Sequence, residues 1–364
     1  MATGAPAPRV AVKYGAISQE PLVGADGTVS GAGAGPILVR RLLALFPDPV
    51  LIGPRVRRGA GFDEMPLDFV EPATTLVINL DVVDSPVVWQ VLRRDAPEPR
   101  VMNFLWRNVA DYPSRVEQAS LGLSFGLFPT FANSERTAGE IRSVLAEWAV
   151  TALAERAVIG WANLGIRWER VRPRREPRVP VVLYPAVTLD RRKRSDLFLR
   201  VVERVAARNP LRLEMRLQER DLVSAEAMRI SRLPWSWVGP LTSREDYWER
   251  LAQTTAFLAT SSDESYGLQY LEALAAGAVG IFPDLPWARA LLPLDYPFLY
   301  ADEPQAEAQL SAAVADPEAA RTRIAQTCGD LPAWLRARHS DDDFERAFAD
   351  FVRRCYGGGV GGRT

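Results

Sequence analysis

Residues 261–293 read SSDESYGLQYLEALAAGAVGIFPDLPWARALLP and carry the strongest fold signal in the chain. An apolar run at 256–260 predicts a strand before them, Gly267 predicts a turn, and residues 267–276 predict a helix. The apolar run at 279–282 predicts the next strand. A strand, a turn, a helix and a strand in this order predict a parallel α/β unit.

Two carboxylates stand in this stretch with seven residues between them. Glu264 falls in the loop and Glu272 in the helix. The helix begins at Gly267 and Leu268, and its exposed amides and positive end favour a phosphate group. Carboxylates accept hydrogen bonds from hydroxyl groups, which suits a nucleotide sugar. The alternative is that Glu264 only complements the helix dipole and that Glu272 is a solvated helix residue.

The stretch resembles the Glu-x7-Glu motif of retaining GT-B glycosyltransferases of the family 4 type. The matching positions are Ser261, Glu264, Tyr266, Gly267, Leu268, Glu272, Ala273 and Gly277. The resemblance implies an α/β fold with GT-B architecture, in which two Rossmann-like αβα domains face each other across a cleft. It also implies that Glu264 is catalytic and orients the donor sugar, that Glu272 grips the ribose diol, and that Tyr266, Gly267 and Leu268 bind the donor.

A second match is DRRKRSDLFL, residues 190–199, after the predicted strand 179–184. Lys193 falls on the family's phosphate lysine, which implies a catalytic role in carrying the leaving-group charge. It is one of two lysines beside 42 arginines. The family's arginine five residues earlier is Thr188 here. Either Arg191, Arg192 or Arg194 takes its place or the phosphate charge is less fully neutralised, and we expect Thr188 and Arg191 to lie at the donor phosphates. The alternative is a basic, solvated helix start.

The first half of the chain resembles the family's acceptor domain more loosely. A glycine-rich loop precedes the predicted helix 36–46, and Gly33 and Gly35 in it are candidate acceptor contacts, although such a loop also serves as a plain tight connection. The family often has a histidine near residues 101–108, where this chain has none. Asn103 and Arg107 are therefore candidate acceptor contacts. No Gly-x-Gly-x-x-Gly motif predicts a bound dinucleotide.

The remaining pattern predicts the domain organisation. Residues 1–166 form an acceptor domain with strands at 9–14, 50–52, 76–80, 100–104 and 121–125 and a long helix from Ser134 to about 156. Residues 167–179, rich in Arg and Pro, are predicted as a linker. A donor domain over 180–340 follows. A helix at 341–355 packs back on the first domain by family resemblance, and a disordered glycine-rich tail spans 356–364.

Composition excludes several classes of function. The 44 basic and 45 acidic residues give a formal charge of −1, so no nucleic-acid partner is expected. The chain has one histidine, His339, and two cysteines, which we predict to be buried free thiols. These residues are too few for a multi-His or Cys-based metal site, so we expect no metal and no cofactor. The Asp341–Asp343 run is predicted as a helix start. The arginines at 167–178 are expected to be solvated, with binding of an anionic lipid, a polyphosphate or nucleic acid as the alternative.

No apolar stretch reaches the roughly 20 residues that cross a bilayer. Residues 1–8 lack a basic region followed by an apolar one, so we expect no secretory signal there and a cytoplasmic protein, with peripheral contact at the inner membrane face left open.

The sequence thus predicts a retaining, metal-independent hexosyltransferase. It would use a UDP- or GDP-linked sugar and a polysaccharide, glycolipid or small-molecule acceptor. A GT-B protein that binds nucleotide sugar or a partner transferase without turnover is the alternative, and an epimerase is disfavoured by the lack of histidines. Donor base, donor sugar, acceptor and oligomeric state cannot be predicted.

Overall fold

The computed structural model describes residues 8–15, 22–31 and 33–357. The chain divides into two compact units. The first comprises the described parts of Met1–Asn163 and Asp342–Thr364, and the second is Leu164–Asp341. Within the described ranges, no helix is both long and apolar enough to span a membrane.

The first unit is a sheet flanked by helices. Its strands are β1 (Arg9–Lys13), β2 (Val50–Ile52), β3 (Arg57–Arg58), β4 (Asp63–Met65), β5 (Thr75–Asn79), β6 (Arg100–Leu105), β7 (Thr130–Ala132) and β8 (Ile159–Trp161). Its helices before residue 163 are α1 (Ala34–Ala44), α2 (Ser85–Leu92), α3 (Arg115–Leu127), α4 (Glu135–Trp148) and α5 (Thr151–Ala154).

The eight strands lie in the order β3-β4-β2-β1-β5-β6-β7-β8. All pairs are parallel except β3 with β4. The central strand β5, TLVIN, is buried at all five positions, as expected for a parallel strand covered by helices on both faces.

The second unit repeats this plan with six parallel strands. These are β9 (Val181–Leu183), β10 (Arg212–Leu217), β11 (Ser236–Pro240), β12 (Ala256–Leu258), β13 (Val279–Pro283) and β14 (Leu299–Tyr300). The helices are α6 (Ser195–Ala206), α7 (Glu219–Leu222), α8 (Ala225–Ile230), α9 (Arg244–Leu251), α10 (Leu268–Ala275), α11 (Pro286–Leu291), α12 (Glu303–Ala315), α13 (Pro317–Cys328) and α14 (Leu331–Arg338). The strand order is β11-β10-β9-β12-β13-β14.

The last helix, α15 (Asp341–Tyr356), returns to the first unit. Its buried phenylalanines pack on the sheet: the Phe348 ring lies 5.4 Å from that of Phe104 and 5.0 Å from that of Phe131, between centroids. The Tyr356 hydroxyl donates to the carbonyl of Val101 at 2.6 Å. Burial of this aromatic face makes α15 part of the first unit's core.

One predicted strand of the first unit is wrong. Residues 121–125 lie in the helix α3. Ser114 caps this helix, because its hydroxyl accepts from the Glu117 amide while the Glu117 carboxylate accepts from the Ser114 amide. This reciprocal cap fixes the helix start, and the apolar run then fills one helix face instead of a strand.

The predicted linker at 167–179 is also corrected. The segment belongs to the second unit, where Arg174 donates to the carbonyl of Thr254 and the Arg175 amide donates to the carbonyl of Ala252 at 2.9 Å. Arg172 pairs with Glu249 at 3.3 Å. Arg172, Arg174 and Arg175 thus anchor the segment to the unit, while Arg170, Arg175 and Arg178 are exposed, as expected for solvated arginines.

Smaller differences concern helix bounds and the thiols. The predicted helix from Ser134 to about 156 is two helices, α4 and α5, and the predicted helix at 36–46 begins at Ala34. Cys328 and Cys355 are free and half-buried rather than fully buried. Tyr356, predicted to begin a tail, ends α15. Residues 1–7 and 358–364, the start of the chain and the rest of that tail, lie outside the described residues.

Candidate functional site

The loops with the predicted donor residues follow two neighbouring strands of the second sheet. β9 and β12 pair in parallel. The chain then continues from β9 to β10 on one side and from β12 to β13 on the other. Where the strand order reverses in this way, the two loops diverge and leave a crevice at the carboxyl ends of the strands. This edge is the expected ligand site of the second unit.

Hydrogen bonds tie these two loops together. The Thr260 hydroxyl donates to the carbonyl of Lys193 at 2.7 Å, and the Ser262 amide donates to the carbonyl of Arg192 at 2.9 Å. Lys193 and the loop of Glu264 are thereby held in one arrangement, although about 70 residues separate them in sequence.

The Glu264 carboxylate lies at the centre of the site. Its Oε1 accepts from Lys193 Nζ at 2.5 Å, from the Ser261 hydroxyl at 2.7 Å and from the Tyr270 hydroxyl at 2.8 Å. The Lys193 side chain is 25% exposed and that of Glu264 11%. A charge pair that is largely desolvated and still open at one edge can present its ammonium to an anion and its carboxylate to hydroxyl groups.

Tyr270 keeps its proton at any ordinary pH. Burial, and then the charge of Glu264, raise the pKa of Tyr270 well above its usual value of 10. Its hydroxyl therefore continues to donate to Glu264 and fixes the orientation of the carboxylate.

The turn before α10 requires glycine. Gly267 has φ of 92° and caps the helix. A Cβ at this position would lie 2.9 Å from side-chain atoms of Leu291 and Tyr270. The left-handed backbone and the tight packing both exclude a larger residue. The first amides of α10, from Leu268 onward, follow directly.

Tyr266 does not offer its side chain to a ligand. It is 6% exposed, and its hydroxyl pairs with His339 Nδ1 at 2.7 Å. Burial, and then the charge of Arg338, lower the pKa of His339 to about 4. The predicted donor contact at Tyr266 is therefore restricted to its backbone. The single histidine of the chain was not placed here by sequence reasoning, and its uniqueness is the only signal that singled it out.

The surroundings of Glu272 differ most clearly from those expected of a residue that grips a ribose diol. Its Oε1 accepts from Arg244 Nη2 at 2.8 Å and its Oε2 from the Tyr247 hydroxyl at 2.7 Å, and the side chain is 3% exposed. Both oxygens are thus engaged before any ribose arrives. The Arg244 side chain is 43% exposed and lies over the Tyr247 ring. Sequence reasoning missed Arg244 and Tyr247, because only the packing of α9 on α10 brings them to Glu272.

A tight turn holds Thr188 and Arg191 near Lys193. The Thr188 hydroxyl donates to Asp190 Oδ2 at 2.7 Å, and the amides of Arg192 and Lys193 each donate to Asp190 Oδ1 at 3.0 Å. Burial opposes ionisation of Asp190, but these hydrogen bonds outweigh it and lower its pKa. Arg191 is exposed in the turn, whereas the Thr188 hydroxyl is already committed to Asp190.

The predicted acceptor residues fall in the first unit, and one of them is wrong. Asn103 is fully buried, with its amide donating to Thr130 at 3.0 Å and to the carbonyl of Ser124 at 3.2 Å. It bridges strands and helix inside the core, so it has no surface for an acceptor. A polar residue inside a parallel strand cannot be told from a site residue by sequence alone.

The other three acceptor candidates lie at the surface or in close packing. Gly33 caps α1. An added Cβ at Gly35 would lie 2.0 Å from the Tyr14 hydroxyl, so this glycine is needed for packing. Arg107 is 45% exposed, with its Nε 3.5 Å from Asp111 Oδ2. Within the described parts of the chain, no three His, Cys, Asp or Glu side chains group in a way that could hold a metal ion.

Comparison with known proteins identifies the architecture. No family model and no curated protein matches the sequence. Sucrose-phosphate synthase from Thermosynechococcus elongatus superposes with a TM-score of 0.69 at 14% identity, covering 96% of this chain and 99% of that chain. Alr3699/HepE from Anabaena, in complex with UDP and glucose, has a TM-score of 0.70 at 12% identity, covering 95% and 100%.

A third structure agrees with these two. The α,α-trehalose 6-phosphate synthase from Burkholderia multivorans has a TM-score of 0.64 at 13% identity, covering 96% of this chain and 99% of that chain. Likeness at such low identity concerns the fold and extends over both units. The chain therefore has the GT-B fold, built from two Rossmann-like α/β units.

Proposed function

We propose that this protein is a retaining glycosyltransferase of the family 4 type that moves a hexosyl group from a UDP- or GDP-linked sugar without a metal ion. The observation that carries the proposal is the Lys193–Glu264 pair, at 2.5 Å, beside the amino end of α10 and at the reversal of the second sheet. This pair places a cation for phosphate and a carboxylate for sugar hydroxyls at one edge.

Lys193 and α10 carry the leaving-group charge in this proposal. An ammonium has three N–H donors, so Lys193 can keep its bond to Glu264 and still donate to a diphosphate oxygen. The amides from Leu268 onward add the positive end of the helix. The exposed Arg191, in the turn before Lys193, is the nearest substitute in sequence for the arginine that Thr188 replaces. Together these groups stabilise the nucleoside diphosphate as it departs.

Glu264 orients the donor sugar and stabilises positive charge at the anomeric carbon. In the transfer step the bond between the anomeric carbon and the phosphate oxygen breaks, and a bond forms between that carbon and the acceptor oxygen. The acceptor proton passes to the leaving phosphate on the same face, which retains the anomeric configuration. The step needs no histidine, which suits a chain whose single histidine is buried against Tyr266.

Glu272 acts in this proposal together with Arg244. The Glu272 side chain is 3% exposed and pairs with Arg244 and the Tyr247 hydroxyl, so a ribose diol reaches it only if one of these side chains moves. The half-exposed guanidinium of Arg244 can donate to the nucleoside directly. The solved complexes of HepE contain UDP, glucose and UDP-glucose. UDP is therefore the first nucleotide to test for binding, and UDP-glucose is the first donor to test.

The acceptor is a polysaccharide, a glycolipid or a small molecule, and no nucleic acid is expected. The proposed location is the cytoplasm, with peripheral contact at the inner face of the membrane.

Turnover of nucleotide sugars tests the proposal. The full chain is incubated with UDP-, GDP- and ADP-linked hexoses, with and without EDTA, and nucleoside diphosphate release is followed. One donor series should react, EDTA should have no effect, and proton NMR should show the donor's anomeric configuration in the product. Lys193→Ala should lower the rate at least about 100-fold, whereas Asp95→Asn, at an exposed position of the first unit, should leave the rate unchanged. Inversion of the anomeric carbon, or full activity in Lys193→Ala, would refute this mechanism.

A nucleotide-sugar-binding protein without turnover is the second candidate. Two observations favour it. Thr188 stands where the family has an arginine, and the Glu272 carboxylate is already hydrogen-bonded to Arg244 and Tyr247. Calorimetric binding of UDP or GDP with no release of product from any donor would support this candidate. Any Lys193-dependent turnover would exclude it.

A further inference from the structure

His339 takes no part in the chemistry proposed above, yet it adjoins the donor loop, which we define as residues 261–267. His339 is 1% exposed, and its Nδ1 pairs with the Tyr266 hydroxyl at 2.7 Å. The two rings lie 5.9 Å apart between centroids. A buried hydrogen bond thus joins the donor loop to the last residues of the second unit, 73 residues further along the chain.

The backbone of His339 is held on both sides. Its amide donates to the carbonyl of Leu335 at 2.7 Å, and its carbonyl accepts from the Ile166 amide at 2.8 Å. The Asp341 amide donates to the Ile166 carbonyl at 3.3 Å, so that Ile166 and Ser340 form a parallel bridge. The segments by which the chain enters and leaves the second unit are therefore paired, and His339 is fixed within this pair.

Close packing also restricts the His339 ring. An added Cβ at Gly165 would overlap the Asp341 amide, and Ile166 is fully buried. The Trp334 ring lies 5.4 Å from the His339 ring between centroids. Because a side chain in a close-packed interior has little freedom to move, His339 presents its ring to Tyr266 from a fixed position.

Tyr266 stands between the two functional parts of the donor loop. Glu264 precedes it by two residues, and Gly267, which caps α10, follows it directly. Near the start of the loop, the Ser262 amide donates to the carbonyl of Arg192 at 2.9 Å. Tyr266 is 6% exposed, so its buried ring anchors the loop between the Glu264 carboxylate and the first amides of α10. A change in the position of Tyr266 therefore changes the position of both groups.

We infer that His339 is a positioning residue of the donor site: its bond with the Tyr266 hydroxyl holds the donor loop so that Glu264 lies beside Lys193 and the first amides of α10 face the diphosphate. The identity of this ligand rests on the proposed function. His339 acts through Tyr266 and does not contact the ligand itself. Its ring is neutral at pH 7, because burial, and then the charge of Arg338, lower the pKa of His339 to about 4.

A positioning bond and a purely structural bond predict different results. If the bond only satisfies two buried polar groups, replacing both partners by apolar residues should restore everything that either single replacement removes. If the bond positions the loop, the apolar pair restores stability but not the alignment of the loop. The variants are therefore Tyr266→Phe, His339→Leu and the double variant, with His339→Gln as the conservative replacement.

Tyr296→Phe is the matched control for these variants. It removes another buried hydroxyl of the second unit, which donates to the carbonyl of Gly280 at 2.9 Å. This bond lies outside the donor loop, so its loss measures the effect of one missing buried hydrogen bond without a change in the loop.

Two measurements on the full chain follow the donor loop. Hydrogen exchange of the ligand-free proteins is compared over residues 261–271, and the affinity for UDP and GDP is measured by calorimetry. Tyr266→Phe and the double variant should exchange about tenfold faster there and bind the nucleotide about tenfold more weakly, as expected for loss of one hydrogen bond. His339→Gln should stay within about twofold of the parent protein, because its amide can still pair with the Tyr266 hydroxyl. Tyr296→Phe should change neither value.

The outcomes separate this inference from the proposed function. Exchange and affinity like those of the parent protein in the double variant would overturn the inference and leave only a structural pair. Absence of UDP and GDP binding by the parent protein would refute the proposed function, and the exchange of the loop would still decide the inference. Urea unfolding should show the double variant to be more stable than either single variant, so it remains measurable if a single variant fails to fold.

Discussion

Glu264 accepts hydrogen bonds from Lys193, Ser261 and Tyr270 on the same carboxylate oxygen. Replacing it with Gln keeps the shape and removes the charge that balances Lys193 and that orients the sugar in the proposed function. We expect Glu264→Gln to lower kcat about 100-fold. Tyr270→Phe removes one of the three donors and should lower kcat less than tenfold. Steady-state kinetics on both variants checks this, and equal losses would show that the carboxylate acts only as a structural anchor.

His339 gives the stability of the protein a defined pH dependence. Burial, and then the charge of Arg338, lower its pKa from 6.5 to about 4. Between these values the unfolded chain binds the proton and the folded chain does not, so the free energy of unfolding falls as the pH falls. The contribution is fully present above about pH 6.5 and lost below about pH 4. From pH 7 to pH 5 the loss should reach about 2 kcal/mol.

Urea unfolding at pH 7, 6 and 5 measures this slope. No other histidine titrates in the window, because the chain has one. His339→Gln keeps an acceptor for Tyr266 and should flatten the curve. An unchanged slope in that variant would assign the pH dependence to carboxylates instead.

The sequence predicts the surroundings of some site residues but not of others. The motif predicted that Lys193 and Glu264 share a site, and the loops do bring them together. The contacts of Glu272 with Arg244 and Tyr247 could not be predicted, because they depend on which helices become neighbours. Asn103 was misassigned because an amide inside a strand serves a core network or a ligand equally well.

Helix α15 shows how one element completes a unit from a distance in sequence. Phe348 packs between Phe104 and Phe131 and is fully buried. Truncation of a buried Phe leaves a cavity, so Phe348→Ala should lower the free energy of unfolding by about 3–5 kcal/mol. Asp343→Ala changes an exposed residue of the same helix and should stay within about 0.5 kcal/mol. Chemical denaturation of both variants provides the comparison, and a small effect of Phe348→Ala would mean that α15 is only loosely attached.

Elements could be predicted where their patterns were unambiguous. The near-continuous apolar runs at β5, β6 and β13 indicated buried parallel strands, and Ser134 indicated the start of α4. The run at 121–125 is equally apolar, but a run this short has no period that separates strand from buried helix. The capping pair Ser114 and Glu117 lies upstream of that run and decides the outcome.

At the scale of the whole molecule, the chain enters the second unit at Leu164 and leaves it at Asp341. The first unit is thus made from two separate segments, while the predicted donor residues all belong to the second. A ligand stabilises the elements that it contacts. Hydrogen exchange with bound nucleotide should therefore slow at residues 190–194 and 259–275, and the strands β1, β5 and β6 should be unaffected. Equal protection of both sheets would contradict a donor site confined to the second unit's residues.

The strand, glycine turn and helix at 256–276 predict a parallel α/β unit, and the resemblance of residues 261–293 to a family motif implied the two-unit architecture. The boundaries of the two units could not be predicted from the sequence. The segment 167–178 looks like a linker by composition, yet Arg172 and Arg174 bind groups of the second unit. Such long-range pairing leaves no local pattern in the sequence.

Calorimetric titration of the full chain with UDP, GDP and ADP tests the central claim most directly. One nucleoside diphosphate should bind, and Lys193→Ala should weaken it roughly 10- to 100-fold, because a charged hydrogen bond contributes about 1.5–3 kcal/mol. Asp95→Asn should bind it as the parent protein does. Absence of binding by all three nucleotides, or equal affinity in Lys193→Ala, would contradict a nucleotide-sugar site at Lys193 and Glu264.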